Sequence, residues 1–180
     1  MDVDLVLVSS HLGARPSHAE WQGQVYTRSG MNPKYPDFVA VTGYGTVTGL
    51  CGANCRHSFG PYFEGQGNPF EQFDAEENKK QYELEQQQRT LERRIRKTKR
   101  ETMSWRTARD AETDPETRAV YEEKYQKKAA LLQKQNAAYN QFCEDNGLKK
   151  QHDRISIAKW NRSEAAKARA AAKRYNEEKE

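Results

Sequence analysis

The stretch Cys51–His57, CGANCRH, combines two of the three cysteines of the chain with one of its four histidines. Two more histidines, His11 and His18, lie upstream in SSHLGARPSHAEWQG. Residues 43–69 around CGANCRH contain seven glycines, which is typical of a long loop. Ordered loops of this length are uncommon unless something holds them in place. The sequence therefore predicts that contacts of the Cys/His cluster fix the fold of the first third of the chain.

Three interpretations of this cluster remain open from the residues alone. The first is a zinc site, because Cys55 and His57 alternate and would face one side of an extended segment, although the spacing is not that of a standard zinc finger. The second is packing, since free cysteines and hydrogen-bonded histidines are common in protein cores. The third is catalysis, by a thiolate–imidazole pair or by histidine and arginine acting on a phosphate ester. The candidate metal ligands are His11, His18, Cys51, Cys55 and His57, and the candidate catalytic residues are His11, Arg15, His18 and His57.

Composition divides the chain near residue 70. Ten of the eleven glycines and five of the six prolines lie within residues 1–70, so this part is rich in turns and the remainder can be helical. Residues 1–70 hold four Lys/Arg and five Asp/Glu, whereas residues 71–180 hold 26 and 21. With 35% hydrophobic and 31% charged residues, the chain is lean for one large core.

Residues 1–70 are predicted to form a small Gly-rich α+β module. Short runs rich in Val, Leu, Tyr and Phe predict strands at 4–8, 24–27 and 38–42. Ser17 with Glu20 three positions later matches the capping-box pattern and predicts one small helix between the first two strands.

Residues 71–147 are predicted to form an antiparallel helical hairpin. The first helix runs from about residue 69 to about residue 110, and Asp114-Pro115 supplies a cap and a first helical position for the second. Residues 148–180 are predicted to form a basic helical tail, whose last helix begins at Ser163. Its alanine-rich run indicates support from helix propensity rather than packing, so we expect its end to fray or to order on a partner. The predicted fold class is α+β.

A stripe of basic residues lies along one face of the first predicted long helix, within the segment RTLERRIRKTKR. Its members recur at helical spacing on one face, which is typical either of a solvated helix surface or of a surface that contacts nucleic-acid phosphates or an acidic protein. No aromatic residues are interleaved with them, so sequence-specific readout is not indicated. The residues of this stripe are Arg89, Arg93, Arg96, Lys97 and Arg100.

Other features exclude broad classes of protein. No apolar run approaches the about 20 residues of a membrane span, and the acidic start with its short apolar run is not typical of a signal peptide. An odd number of cysteines without a secretion signal indicates a reducing compartment.

The sequences of several motifs resemble those of a known protein family. SSHLGARPSHAEWQGQVY, YPDF, TGYGTVTGLCGANCRHSFGPYFEG and QQRTLERRIRKTKR together resemble the C-terminal region of the phage minor capsid protein 2 family, from about Asp4 to about Trp160. Members of this family look considerably longer than this chain, with a large region ahead of the first motif. The residues that match the two motifs are His11, Gly13, Ala14, Arg15, Pro16, His18, Trp21, Gln22, Gly23, Asn54, Cys55, Arg56 and His57.

This resemblance implies a structural protein of a tailed phage or prophage, related in role to the Mu-type head morphogenesis proteins. We therefore expect a non-enzymatic minor capsid or head morphogenesis component that contacts portal, capsid protein or packaged DNA. Its expected location is the virion, and the host cytoplasm during assembly. Zinc is the one cofactor that the Cys/His residues leave open, and neither a membrane nor a small-molecule substrate is expected. The alternative is a phage-borne nuclease or transferase-like effector that uses the His/Arg cluster.

Overall fold

The chain forms two compact units, Met1–Glu85 and Gln86–Glu180, in a computed structural model that describes residues 3–179. Three short strands lie in the first unit and long helices dominate the second, which confirms the predicted α+β class. The elements in chain order are β1 (Leu5–Val8), α1 (Pro16–Ala19), β2 (Val25–Thr27), α2 (Phe38–Thr42), β3 (Phe59–Pro61), α3 (Ala75–Ala111), α4 (Pro115–Asp145), α5 (His152–Ile155) and α6 (Arg162–Glu177).

The first unit is built on a three-stranded antiparallel sheet with β1 in the centre. Val6 of β1 pairs with Tyr26 of β2, and Leu7 pairs with Gly60 of β3. All four residues of β1 are buried, so the apolar run LVLV can cover both faces of the sheet. The main apolar cluster of this unit is small and contains Val6, Val8, Trp21, Tyr26, Phe38 and Leu50, with Cys55 and Phe59 packed against it.

The strand predicted at 38–42 is wrong, because Phe38–Thr42 forms helix α2. The Asp37 side chain accepts a hydrogen bond from the backbone N–H of Ala40 at 2.6 Å, which caps the helix at its start. Gly43 ends α2 in the left-handed conformation, with φ of 62°. Phe38 and Thr42 are buried one helical turn apart, which is the spacing of a helix, although the Val- and Phe-rich composition of the run is typical of a strand. The third strand is instead β3, which lies within the stretch predicted as loop.

Helix α1 begins differently from the prediction. Arg15 occupies the cap position, and no side-chain hydrogen bond caps the helix. Pro16 is the first residue of α1, so Ser17 lies inside the helix and cannot be its cap. The capping-box prediction is therefore wrong. The result of this short helix is that His18 is buried.

The segment between α2 and β3 folds back closely on itself. The backbone N–H of Leu50 donates to the carbonyl oxygen of Thr42 at 3.0 Å, and that of Ala53 donates to Val47 at 2.7 Å. A Cβ added to Gly49 would collide with the backbone of Gly43. Glycine is therefore required at position 49 by the close approach of two backbone segments.

Helices α3 and α4 pair in antiparallel fashion within the second unit. Tyr139 donates to Glu92 at 3.3 Å, Lys128 pairs with Glu101 at 2.7 Å, and Arg109 pairs with Glu122 at 2.5 Å, so contacts ascend α3 as they descend α4. The predicted cap is confirmed, since Asp114 accepts from the N–H of Thr117 at 2.8 Å and is followed by Pro115. The apolar core between the helices is formed by Ile95, Leu132, Tyr139 and Cys143.

Helix α6 packs on α4, which contradicts the expectation that it depends on propensity alone. Its buried residues are alanines, whose small side chains let two helix backbones approach closely. Asn161 caps α6 by accepting from the N–H of Glu164 at 3.0 Å. The cluster between these helices contains Tyr125, Ala129 and Ala130 of α4 and Ala168, Ala171 and Ala172 of α6.

Polar residues of α3 hold the connection between α4 and α6. Gln88 donates to the carbonyl oxygen of Lys149 at 2.9 Å, and the Lys99 ammonium donates to that of Ile155 at 2.7 Å. Arg96 donates to the carbonyl oxygen of Arg154. Burial lowers the pKa of Lys99, as desolvation of a cation requires. None of the helices within residues 3–179 has both the length and the apolar character needed to cross a bilayer.

Gly49→Ala tests the close approach in the first unit. The new methyl group would displace the backbone, so we expect a loss of about 1–3 kcal/mol in the free energy of unfolding, measured by urea denaturation. Gly67→Ala is the matched control, because a Cβ there meets nothing within 4 Å. Equal stability of the two variants would contradict the packing described for Gly49.

Ala171→Leu tests the contact between α4 and α6. Ala171 is 0% exposed, so a larger side chain should separate the helices and cost about 1–3 kcal/mol in the same measurement. Ala170→Leu changes the same residue type on the exposed side of α6 and should shift stability by no more than about 0.5 kcal/mol. A destabilisation that is no larger in Ala171→Leu than in the control would show that α6 does not pack as described.

Candidate metal centre

Three side chains from separate parts of the first unit converge on one point. His18 comes from α1, while Cys55 and His57 precede β3. The Nδ1 atoms of His18 and His57 lie 3.4 Å apart. The Sγ atom of Cys55 lies 3.7 Å from the first of these nitrogens and 3.6 Å from the second. One nitrogen from each imidazole and one sulfur thus form a compact triangle of soft donor atoms.

The dimensions of this triangle fit tetrahedral zinc. With Zn–N of about 2.05 Å and Zn–S of about 2.3 Å, a tetrahedral site separates two nitrogens by about 3.3 Å and a nitrogen from a sulfur by about 3.6 Å. The observed separations of 3.4, 3.7 and 3.6 Å match these values closely. A single ion can therefore contact all three atoms without movement of the backbone.

Hydrogen bonds on the far side of each ring fix which nitrogen carries the proton. His18 Nε2 lies 2.9 Å from the carbonyl oxygen of Thr48, which can only accept, so Nε2 is the donor. His57 Nε2 lies 3.0 Å from Gln22 Oε1. The same Oε1 accepts the backbone N–H of His11 at 3.0 Å, so it is an acceptor and His57 Nε2 is also a donor. In neutral rings both Nδ1 atoms consequently present lone pairs to each other.

Protein groups alone do not satisfy this arrangement. The Cys55 thiol can donate its one hydrogen to only one of the two Nδ1 atoms. The other Nδ1 would then be buried without a donor, which carries a desolvation cost. A bound cation removes the conflict, and a hydrogen bond from the opposite nitrogen to a carbonyl or amide oxygen is the usual way in which a ligating histidine is oriented.

Burial keeps both imidazoles neutral, the form in which histidine binds metal. His18 is 2% exposed and His57 is 5% exposed, and the Trp21 ring packs against them with centroid separations of 4.4 and 4.9 Å. Burial lowers the pKa of His18 and is also the main cause that lowers the pKa of His57 to about 3, with nearby cationic groups contributing in the same direction.

The remaining candidate ligands lie beside the triangle rather than in it. The His11 ring stacks on the His57 ring with centroids 4.3 Å apart, and its Nδ1 lies 3.1 Å from the carbonyl oxygen of Leu12. Cys51 Sγ lies 3.7 Å from the carbonyl oxygen of His57, and Cys55 Sγ lies 4.0 Å from the same oxygen. His11 thus packs against the centre, and Cys51 is at its edge.

The two arginines of the motifs bind backbone and carboxylate groups. Arg15 donates to the carbonyl oxygen of Ala53 at 2.8 Å, which ties α1 to the CGANCRH segment. Arg56 pairs with Glu85 at 3.2 Å and lies 3.3 Å from Nδ1 of His11. Both guanidinium groups thus have partners within the first unit.

These contacts do not support the catalytic interpretation. His18 and His57 use Nε2 in fixed hydrogen bonds and direct Nδ1 toward each other. With its pKa lowered to about 3, His57 carries no proton on Nδ1 near neutral pH that it could donate as a general acid. The Arg15 side chain donates to a backbone carbonyl, and its positive charge acts to lower the pKa of both His18 and His57.

Sequence reasoning missed the residues that support the ligands. Gln22 is 7% exposed and holds both His57 and the backbone of His11. Asn78 of α3 exchanges two hydrogen bonds of 2.9 Å with the backbone of Ala14, which fixes the turn before α1. Gln22 belongs to the motif that carried the family resemblance, but no spacing rule identifies an outer-shell amide. The Thr48 contact comes from a carbonyl and has no side-chain signal at all.

The basic stripe lies on α3 within the second unit, and its members have different surroundings. Arg93, Lys97 and Arg100 are exposed, whereas Arg89 and Arg96 are half-buried. Arg96 is used to bind the carbonyl oxygen of Arg154.

Gln22→Ala tests the support of the centre. The substitution leaves the N–H of His11 and Nε2 of His57 without their acceptor, so we expect a loss of about 1–3 kcal/mol in unfolding free energy. The control is Gln24→Ala, because Gln24 is exposed and should tolerate truncation with a change of no more than about 0.5 kcal/mol. If Gln22→Ala were as stable as the control, the tautomer assignment above would lose its basis.

Comparisons with known proteins identify the relatives of the chain. A protein named "Structural protein" from Lactococcus phage LL-H is 36% identical over 113 residues, which are 59% of this chain and 28% of that protein. A second protein of the same name from Lactococcus phage mv4 is 33% identical over 128 residues, which are 71% of this chain and 95% of that protein. The chain thus spans less than a third of the first relative and nearly all of the second.

No solved structure matches the chain. The family model described as phage minor capsid protein 2 matches residues 1–144, which include both motifs, the Cys/His centre, all of α3 and nearly all of α4. The resemblance inferred from the sequence is therefore confirmed, and the chain belongs to the phage minor capsid protein 2 family.

Proposed function

We propose that this chain is a structural component of a tailed-phage or prophage virion, whose first unit is held together by a zinc ion. Membership of the minor capsid family and the two relatives named as structural proteins support the virion role. They do not favour the enzymatic alternative. The observation that carries the zinc proposal is the convergence of two Nδ1 lone pairs and one thiol at the edge lengths of a zinc tetrahedron.

Zinc is the ion that this donor set fits best. Imidazole nitrogen and thiolate sulfur in tetrahedral geometry are its usual ligands, whereas magnesium and calcium prefer oxygen. We propose His18, Cys55 and His57 as three ligands and Cys51, whose sulfur lies outside the compact group of their donor atoms, as the fourth after its side chain moves toward the ion. Cys51 and Cys55 approach the same carbonyl oxygen, that of His57, so both sulfurs lie beside the same ligand residue.

A structural role for the ion follows from its surroundings. Both imidazoles are almost fully buried, and four protein ligands would leave no open position for a substrate. The ligands join α1 to the segment before β3, across 36 intervening residues between His18 and Cys55. The main hydrophobic cluster described in the first unit contains six buried side chains, so a cross-link of this kind would add substantially to its stability.

The partners that we propose are other virion proteins, either portal or capsid protein. Exposed apolar side chains in and after α2 support a protein contact, since apolar surface is stabilised when a partner removes it from water. These residues are Val39, Val41, Tyr44 and Val47, which are 51%, 46%, 40% and 74% exposed. Packaged DNA is the other partner expected from the sequence. We place the chain in the virion and, during assembly, in the host cytoplasm.

Elemental analysis of the purified chain tests the zinc centre. We expect about one zinc per chain, retained through dialysis, and its loss in Cys55→Ser together with a lower thermal transition. Cys51→Ser should keep zinc with a faster loss to a chelator, because it removes the proposed fourth ligand. Cys143→Ser is the control, since Cys143 is buried in the second unit and contacts Gln88 at 3.4 Å.

Two outcomes would contradict the zinc centre. One is a parent protein free of metal after expression in zinc-supplemented medium. The other is stoichiometric zinc in Cys55→Ser. The virion role is checked separately by mass spectrometry of purified particles of the parent phage, in which the chain should be present, and its absence from the particles would refute that role.

A further inference from the structure

One side of α3 carries an uninterrupted set of basic side chains. Arg93, Arg94, Lys97 and Arg100 are all exposed. Intervals of one, four and seven positions place them on one side of the helix, over a length of about 10 Å. We call these four residues the α3 basic face.

The acidic residues of the same segment are withdrawn from this face. Glu92 is 1% exposed and lies against Tyr139. Glu101 pairs with Lys128 of α4 at 2.7 Å. Within residues 3–179, no carboxylate forms an ion pair with any member of the α3 basic face. The mutual repulsion of these cations is therefore not relieved by the fold of the second unit.

The uncharged residues around the α3 basic face are polar. Gln87, Ser104 and Thr107 are exposed on the same helix, and no large apolar side chain of α3 is exposed among the residues that the structure describes. Amide and hydroxyl groups bind phosphate oxygens together with Arg and Lys. Protein interfaces depend instead on buried aromatic or apolar anchors, which are missing from this part of α3.

Charge is also divided unequally between the two units. Residues 86–180 hold 24 Lys/Arg and 15 Asp/Glu, a formal net charge of +9. Residues 1–85 hold 6 and 11, a formal net charge of −5. The positive electrostatic field of the second unit would attract a polyanion from a distance and favour its approach to the exposed Arg and Lys side chains.

We propose that the α3 basic face binds the phosphate backbone of double-stranded DNA without reading its sequence. The exposed side chains on this face include no aromatic residue on which unpaired bases could stack, which argues against a single strand. The identity of the polyanion rests on the proposed virion role, because a phage head contains packaged duplex DNA. The α3 basic face differs from the stripe predicted from the sequence, since it adds Arg94 and excludes the half-buried Arg89 and Arg96, the second of which binds a backbone carbonyl.

Fluorescence anisotropy with a labelled 30-base-pair duplex tests this proposal on the full chain. Four phosphate contacts predict a slope of about −3.6 for log K against log salt concentration, or roughly 100-fold weaker binding between about 50 and 200 mM salt. Replacing Arg93, Arg94, Lys97 and Arg100 with Gln should weaken binding at 50 mM salt at least tenfold and reduce the slope by about three to four. Two duplexes of unrelated sequence should bind equally.

A matched variant distinguishes the effect of the α3 basic face on DNA binding from the effect of the overall net charge. Lys79→Gln, Lys80→Gln, Lys127→Gln and Lys134→Gln together remove the same charge from exposed helical positions outside the face, and this variant should bind DNA within about twofold of the parent. Circular dichroism confirms that both variants are folded. An equal loss of binding in both variants would overturn the proposal, as would a parent that does not bind the duplex.

Competition distinguishes DNA from an acidic protein. Poly-L-glutamate at the same charge concentration should displace the labelled duplex poorly, and displacement as efficient as by unlabelled duplex would overturn the assignment to DNA. The zinc analysis and the particle analysis do not depend on this assay. Failure of DNA binding would therefore leave the zinc centre and the virion role intact. A negative result in the zinc or particle analysis would likewise leave the measured DNA affinity unchanged.

Discussion

The fold of the first unit depends on the contact of His18 with Cys55 and His57. Among residues 3–85 its sheet has three short strands and its main apolar cluster has six buried side chains, which is little apolar surface for a unit that contains so long a glycine-rich segment. The buried imidazoles lie in the middle of this unit, held from behind by Gln22 and Thr48. The metal cross-link that we propose between α1 and the segment before β3 would compensate for the small core, as metals do in other small domains.

The second unit is stabilised in a different way. Its helices meet through an apolar seam and through close packing of alanines, and it needs no cross-link. Glu122 joins three helices here, because it accepts hydrogen bonds from Arg109 of α3 and Arg174 of α6. Burial acts to raise the pKa of Glu122, but these bonds and that from Gln126 outweigh it and hold the pKa below the usual value.

Some features could be predicted from the sequence because short-range chemistry determines them. The Asp114-Pro115 helix start and the α+β class depend on local signals, and both are confirmed. The strand prediction for Phe38–Thr42 is wrong because Asp37 and Gly43 cap a five-residue helix whose Val- and Phe-rich composition is typical of a strand. The packing of α6 was missed because alanine is a weak signal of burial. The sequence indicated which residues could form the centre, but the choice among them depends on tertiary contacts such as that of Gln22, which no spacing rule describes.

The most direct test of the account is X-ray absorption at the zinc edge of the purified chain. A zinc ion bound by His18, His57, Cys55 and Cys51 predicts two nitrogen neighbours at about 2.0 Å and two sulfur neighbours at about 2.3 Å. A shell with two nitrogen neighbours, one sulfur and one oxygen would support the zinc centre but would show that Cys51 is not a ligand. A first shell made only of oxygen and nitrogen, or no bound zinc, would contradict the claim that a metal holds the first unit together.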